Sequence, residues 1–157
     1  MNESGKDLTY LEPDGKRITP NVIEPSVGVD RLLYAIICEK YDIEILEGND
    51  EREILRVSYD LAPYKVAVFP LSNKLIDGAR KVFDTIINDG IPATFDTSGS
   101  IGKRYRRQDA IGTPFCITYD FDSEANNTVT IRNRDTMKQE TIKIDDILIY
   151  INKNKNV

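Results

Sequence analysis

From Lys65 onward the apolar positions of the chain change rhythm in a regular way. Short continuous apolar runs, KVAVFPL (65–71), PATFDTS (92–98) and PFCITYDF (114–121), alternate with two longer stretches, NKLIDGARKVFDTIINDG (73–90) and SIGKRYRRQDAIG (100–112). In the longer stretches apolar residues recur every three or four positions, the mark of a helix with one buried stripe, so the order is β-α-β-α-β. Strands separated by helices of that length favour parallel neighbours, because a parallel pair needs a crossover; the fold class expected is α/β, a mixed sheet flanked by helices. In the first helix Leu75, Ile76, Ala79, Val82, Phe83 and Ile86 make the stripe, with Gly90 as the stop signal. In the second, Ile101, Tyr105, Gln108 and Ile111 share a face, while Lys103, Arg106 and Arg107 project from the opposite arc. Beyond Phe121 the tract DSEANN reads as a hairpin turn, and TVTIRNRDT and KQETIKID alternate as an antiparallel pair with one wet face. DDILIYINKNK ends the pattern with a short apolar helix that Asp145 and Asp146 are expected to cap, before a Lys- and Asn-rich end that frays.

The first 60 residues are less regular. NVIEP is a short strand candidate, and Val29, Leu32, Leu33, Ile36 and Ile37 follow at helical spacing, with Ser26 or Asp30 as the cap. One strand and one helix make a poor domain, and so large an apolar helix face calls for more neighbours than this segment supplies. Asp42 to Asp60 is acidic and irregular, with EGNDERE as an exposed turn, and LAP at 61–63 marks the expected boundary between segments 1–60 and 61–157. There is no internal repeat, and no low-complexity segment beyond the terminal KNKN.

Composition narrows the chemistry. The 157 residues, 40% hydrophobic and 30% charged, suit a soluble globular chain, and 21 Lys and Arg against 26 Asp and Glu leave a net charge of −5. Any nucleic-acid role must therefore come from a local basic patch, because the whole-molecule field repels phosphate. The absence of histidine excludes Ser-His-Asp and Cys-His machinery and any imidazole-ligated zinc within the chain. Cys38 and Cys116 each sit in an apolar stretch, which reads as reduced core packing and fits a reducing cytoplasm. No stretch approaches the roughly 18 apolar residues of a membrane span, and MNESGKDL has no apolar signal core. No membrane partner is expected.

Three places carry candidate chemistry. In EPSVGVDR (24–31) a carboxylate, a hydroxyl, a glycine and an arginine meet at a strand-to-helix junction, where free amides and the helix dipole favour an anion. Glu24 and Ser26 could hold an ammonium group, Gly28 permits close approach, and Arg31 could stack on a base or reach a phosphate; the plainer reading is an ordinary capped turn. In SIGKRYRRQDAIG the four cations Lys103, Arg104, Arg106 and Arg107 face one acid, Asp109, a local reversal of the chain's overall sign. Beside them Asp96, Ser98, Ser100, Tyr105 and Gln108 add groups of the kind that stack on and read unpaired RNA bases; a solvated charge run is the plainer alternative. In IRNRD, Arg132 and Arg134 alternate on a strand and either extend the basic surface or pair with Asp135, Asp122 and Glu124.

The stretches SGKDL, GKRITPNVIEPSVGVDRLLYAI, LAPYKVAVFPL, DTSGSIGKRYRRQDAIGTPFCITYDFD and NNTVTIRNRDTMKQ, in this order, resemble the C-terminal part of an archaeal or eukaryotic-type glycyl-tRNA synthetase, a class II aminoacyl-tRNA synthetase. The resemblance covers nearly the whole chain. It implies that EPSVGVDR is the third signature motif, in a remnant of the class II catalytic domain, with Glu24 and Ser26 at glycine and Gly28 and Arg31 at ATP. It also implies that residues from about Leu61 form the anticodon-binding domain, which makes the anticodon stem-loop of tRNA(Gly) the expected partner of the candidates Asp96, Ser98, Ser100, Lys103, Arg104, Tyr105, Arg106, Arg107 and Gln108. Asn21 stands where that family usually has histidine, and Val27 where it has an aromatic residue. Nothing resembles the first two signature motifs or the arginine that clamps the α-phosphate. The implication is a fragment, a truncated gene product or one piece of a split enzyme. Such a chain has no complete catalytic set, metal site or cofactor of its own and makes no glycyl-adenylate alone. ATP, magnesium and the rest of the catalytic domain belong to the full enzyme. A non-enzymatic accessory protein reusing the domain is the alternative, and a small-molecule binder at the sheet's carboxyl edge a third.

Overall fold

The computed structural model describes residues 5–155. The N-terminal residues, including the first of SGKDL, and the end of the KNKN tail lie outside the described residues. The chain divides into two compact units, Met1–Leu32 and Leu33–Val157. This division falls well upstream of the 60/61 boundary expected from LAP, because the acidic stretch 41–55 is not irregular but folds as part of the second unit.

In the first unit β1 (Tyr10–Leu11) and β2 (Arg17–Ile18) form a minimal antiparallel ladder, and Arg17 bridges to Asp7 at 2.8 Å. NVIEP is not a strand; residues 19–28 form no regular element, and all of 21–28 are exposed. Helix α1 (Val29–Lys40), whose residues from Leu33 on belong to the second unit, starts where its apolar spacing begins, but neither Ser26 nor Asp30 is its cap: the carbonyl of Gly28 accepts the Leu32 amide, and Asp30 sits within the first turn. No residue of α1 is buried, as the excess of apolar surface over available neighbours implies.

The second unit is built on a five-stranded sheet. β5 (Val66–Pro70) lies parallel to β6 (Ala93–Phe95) on one side and to β7 (Phe115–Tyr119) on the other. β8 (Thr128–Asn133) and β9 (Gln139–Lys143) extend the sheet antiparallel, giving the order β6-β5-β7-β8-β9. The crossovers are α2 (Ile76–Asn88) and α3 (Ile101–Ile111), and the chain ends in α5 (Ile147–Asn154) after the short α4 (Phe121–Asn126). This is the mixed, helix-flanked α/β sheet that the alternation predicts.

Alternating side chains divide the two faces. Val66, Val68, Phe115, Ile117, Val129 and Ile131 bury one face in a cluster with Ala79, Val82 and Ile86 of α2 and Ile147 and Ile151 of α5. Each Val, Ile or Phe among them contributes about 1.5–3 kcal/mol on burial. On the other face Ala67, Phe69 and Cys116 pack with Ile101 and Tyr105 of α3. Beyond α3 that face stays wet, with Thr130 half-buried and Gln139 and Thr141 exposed.

The departures from the pattern have local causes. DSEANN is helical because Asp120 and Ser123 form a reciprocal capping box, after which Asn127 turns the chain at a positive φ of 53°. Asp146 occupies the cap position of α5 but makes no capping hydrogen bond, and Asp145 accepts from Asn127 at 3.5 Å. Cys116 is buried as expected, whereas Cys38 on α1 is exposed. The 41–55 stretch is a hairpin of β3 (Tyr41–Ile45) and β4 (Glu51–Leu55) whose register pairs Glu44 with Arg52.

Candidate functional site

The basic helix α3 is positioned by its two ends. Ser100 accepts the Lys103 amide at the N-cap at 3.5 Å, and Gly112 closes the C-terminus in the left-handed region at φ 84°. Between them the helix buries Arg104, Gln108 and Asp109 and points Lys103 and Arg107 outward. This corrects the expected faces: Ile111 is exposed, and two charged residues take inward positions.

Arg104 and Gln108, both candidates for tRNA binding, are 7% and 5% exposed. Arg104 donates to the carbonyls of Pro70 (2.6 Å), Thr97 and Gly99 (both 2.9 Å), fastening the loop before α3 to the end of β5. Gln108 accepts from Thr113 at 2.7 Å. Both are scaffold: their polar groups point at the protein's own backbone and side chains. Tyr105 is likewise not an open stacking platform, because Phe69 packs edge-on at 5.4 Å and the Arg132 guanidinium lies over its ring at 4.9 Å. Its hydroxyl reaches Thr118 at 2.7 Å.

Among the remaining candidates, Asp96, Ser98 and Arg107 come together. Arg107 donates to Asp96 at 2.5 and 3.1 Å and to the Ser98 carbonyl at 2.6 Å, and the Ser98 amide donates to Asp96 at 2.8 Å. Burial tends to raise the Asp96 carboxyl, but the Arg107 hydrogen bond, the Ser98 amide and the charges of Arg107 and Arg104 outweigh it and hold it below the usual carboxylate range. Arg106 pairs with Asp50 on the β3–β4 turn. Lys103 is exposed and, among the described residues, makes no ion pair.

Arg132 and Arg134 do not face Asp122 and Glu124. Arg132 forks onto Asp109 at 2.8 and 3.1 Å, while Arg134 holds Asp135 and donates to the carbonyls of Val57 (2.9 Å) and Gly112 (2.8 Å). Arg52 of β4 completes the set, fully buried, with Nε on Asp109 at 2.8 Å and Nη1 on Glu44 at 2.6 Å. Burial alone would lower the Arg52 pKa; Asp109 and Glu44 reverse that and raise it. Nothing in the residue spacing flagged Arg52 or Asp109.

A cleft of about 270 Å³ opens between α3 and the wet side of the sheet, lined by Leu71, Ile101, Tyr105, Thr118, Asp120, Thr130 and Gln139. Of these only Tyr105 was a sequence candidate; the polar alternation of Thr128, Thr130 and Arg132 on β8 is the signal that leads to the rest. Glu24, Ser26 and Arg31 are exposed, and among the described residues their side chains make no hydrogen bond or ion pair; a Cβ added at Gly28 would lie 3.9 Å from the Arg31 side chain. No group of three or more acids or cysteines among the described residues is placed to hold a metal ion. None of the described helices is long and apolar enough to cross a membrane.

Residues 65–154 match the family described as Anticodon binding domain. The chain is 55% identical over 98% of its length to a protein named glycine–tRNA ligase from Ureaplasma urealyticum, and 52% identical over 98% to one from Lysinibacillus sphaericus. It spans about a third of the length of these curated relatives (33% in both). The relatives named are bacterial, so the archaeal or eukaryotic type that the resemblance implied is not supported. By fold, the RNA binding domain of threonyl-tRNA synthetase from Cryptosporidium parvum superposes with a TM-score of 0.59 at 21% identity, covering 65% of this chain and 26% of that one. A histidyl-tRNA synthetase from Nostoc gives 0.56 at 20% identity, covering 58% of this chain and 22% of that one.

Proposed function

The chain belongs to the anticodon binding domain family, and from that premise we propose that it is the tRNA-gripping portion of a glycine–tRNA ligase. In full form that enzyme activates glycine with ATP and transfers it to tRNA(Gly). The names of the relatives at 55% and 52% identity support the glycine assignment. The observation that carries the RNA reading is the match of residues 65–154 to the anticodon binding domain family, in a unit whose helix α3 turns Lys103, Arg106 and Arg107 away from the sheet and lines a polar cleft on its other side through Ile101 and Tyr105. Lys103, Arg106 and Arg107 would lie along the phosphate chain, which fixes position without reading sequence, and the cleft would take an unstacked anticodon base. Inside it, the Asp120 carboxylate supplies an acceptor, the Gln139 amide both donor and acceptor, and the Thr130 hydroxyl either. Leu71 and Ile101 give the base an apolar wall. Asp96 and Ser98 shape the loop that leads into α3, and Ser100 fixes its first turn.

In the longer protein, Glu24 and Ser26 would meet the glycine, Gly28 and Arg31 the ATP, and magnesium ligands would come from outside this chain; the setting is cytoplasmic translation. The test is binding of a stem-loop RNA with a glycine anticodon against the same RNA with altered anticodon bases. The chain should prefer the first, and Gln139→Ala should shrink the preference by about 1 kcal/mol, the worth of one hydrogen bond to a base edge. An unchanged preference in that variant would remove the cleft from base reading.

A further inference from the structure

The RNA-facing helix is held by a hairpin that itself carries none of the RNA-binding candidates. Strand β4 meets α3 at three places. At one end Asp50, just before β4, pairs with Arg106. In the middle Arg52 reaches Asp109, both side chains fully buried at 2.8 Å. At the other end the backbone of Leu55 and the side chain of Val57 close on Gly112 so tightly that an added Cβ would come within 2.9 and 2.7 Å of them.

Arg52 is the branching point. One guanidinium serves Glu44 on β3 at 2.6 Å, Asp109 on α3 at 2.8 Å and the carbonyl of Arg134 beyond β8 at 2.5 Å. Asp109 passes the link on, accepting both Arg132 nitrogens, and Arg132 lies over the Tyr105 ring whose hydroxyl holds Thr118 in the cleft wall. The series Glu44, Arg52, Asp109, Arg132, Tyr105 is therefore continuous from the hairpin to the cleft. A planar fork with three fixed directions determines orientation as well as distance, which a packed apolar side chain does not. Buried ion pairs commonly give no net stability over apolar residues of similar volume, so stability alone is a poor reason for this one.

We propose that Arg52 is a positioning residue for RNA recognition: through Asp109 and Arg132 it sets the orientation of α3 and Tyr105, so that the β3–β4 hairpin aims the basic face and the cleft at one RNA. The proposal rests on the RNA reading given above. Removing Arg52 leaves every ionised partner with another counterion, Asp109 with Arg132 and Glu44 with Arg56. The positioning link can thus be cut without stranding a buried charge.

The experiment compares Arg52→Met, Arg52→Lys and Ile54→Val in the 157-residue chain, measuring melting temperature and the affinities for the glycine-anticodon stem-loop and its altered-base counterpart. Ile54, fully buried on the same strand, controls for loss of stability without loss of the link. Arg52→Met should bind the first RNA at least tenfold more weakly and narrow the ratio between the two RNAs. Ile54→Val should keep both, and Arg52→Lys, with a charge but no fork, should fall between. If Arg52→Met does not fold, Arg52→Lys against Ile54→Val makes the same comparison: weaker and less selective binding by the lysine variant supports the positioning role, and equal binding overturns it. Unchanged affinity in a folded Arg52→Met, or equal weakening in Ile54→Val, also overturns it. Failure of the unsubstituted chain to bind either RNA overturns the RNA reading, and the positioning role with it.

Discussion

Single residues in this chain owe their roles to which partner reaches them first. The arginines make the point: Arg104, Arg132 and Arg134 look like parts of a basic surface in sequence, yet each is turned inward, where carbonyls and carboxylates take all or most of its donors. An inward arginine with several oxygen partners costs less than one left dry, so the surrounding backbone selects which cations remain outside. The same competition separates the two cysteines. Burial pushes the Cys116 thiol far above its ordinary range, and the nearby Asp109 carboxylate adds to the effect, whereas Cys38 is exposed. Because the thiolate is the reactive form, iodoacetamide at neutral pH should alkylate Cys38 in the native chain and both residues only after denaturation. Mass spectrometry before and after unfolding checks this, and native labelling of Cys116 would mean that the sheet face beneath α3 opens readily.

Among the elements, legibility followed hydrophobic rhythm and failed where charges point inward. The units β5-α2-β6 and β7 were readable because their inward positions are apolar and their turns carry glycine or polar residues, and α3 was readable as a helix but not by face, because Arg104, Gln108 and Asp109 point inward. The β3–β4 hairpin was not: its inward positions on the two strands include Glu44 and Arg52, while Tyr41, Ile43 and Ile45 face outward and exposed. That inversion makes a strand pair look like an acidic loop. DSEANN failed for a different reason, since a capping box with serine at its third helical position resembles turn composition. For the candidate site, the helix and its charge were legible, but the cleft was not, because it joins Ile101 and Tyr105 of α3 to residues from β7, β8, β9 and two loops that only the tertiary fold brings together. The contact of hairpin and helix turns on Gly112, whose left-handed φ of 84° and close approach to Leu55 and Val57 exclude a side chain. Gly112→Ala should destabilise the chain by more than about 1 kcal/mol, combining backbone strain with the clash. A control is Gly102→Ala, in the first turn of the same helix with open space around it, which should be neutral or stabilising in urea denaturation.

Across the whole molecule, charge decides whether the basic face acts at all. A chain of net −5 repels RNA at long range, so attraction must come from cations close to the phosphates. The ion pairs revise how many are ready: Arg106 is held by Asp50 and Arg107 by Asp96, leaving Lys103 exposed and without an ion pair among the described residues. The Asp50 side chain is 63% exposed, so its pair with Arg106 is screened and contributes little to stability. It nevertheless places a carboxylate beside a cation that RNA would use. Two substitutions should therefore move the salt dependence in opposite directions. Lys103→Ala removes a phosphate contact and should flatten the log–log slope of RNA affinity against salt by about 0.7–0.9. Asp50→Asn releases Arg106 to the phosphate chain and should tighten binding at low salt and steepen the slope by a similar amount. Affinities of both variants and the unsubstituted chain, taken across one salt series, decide the matter, and three parallel lines would show that this face of α3 does not meet the RNA backbone.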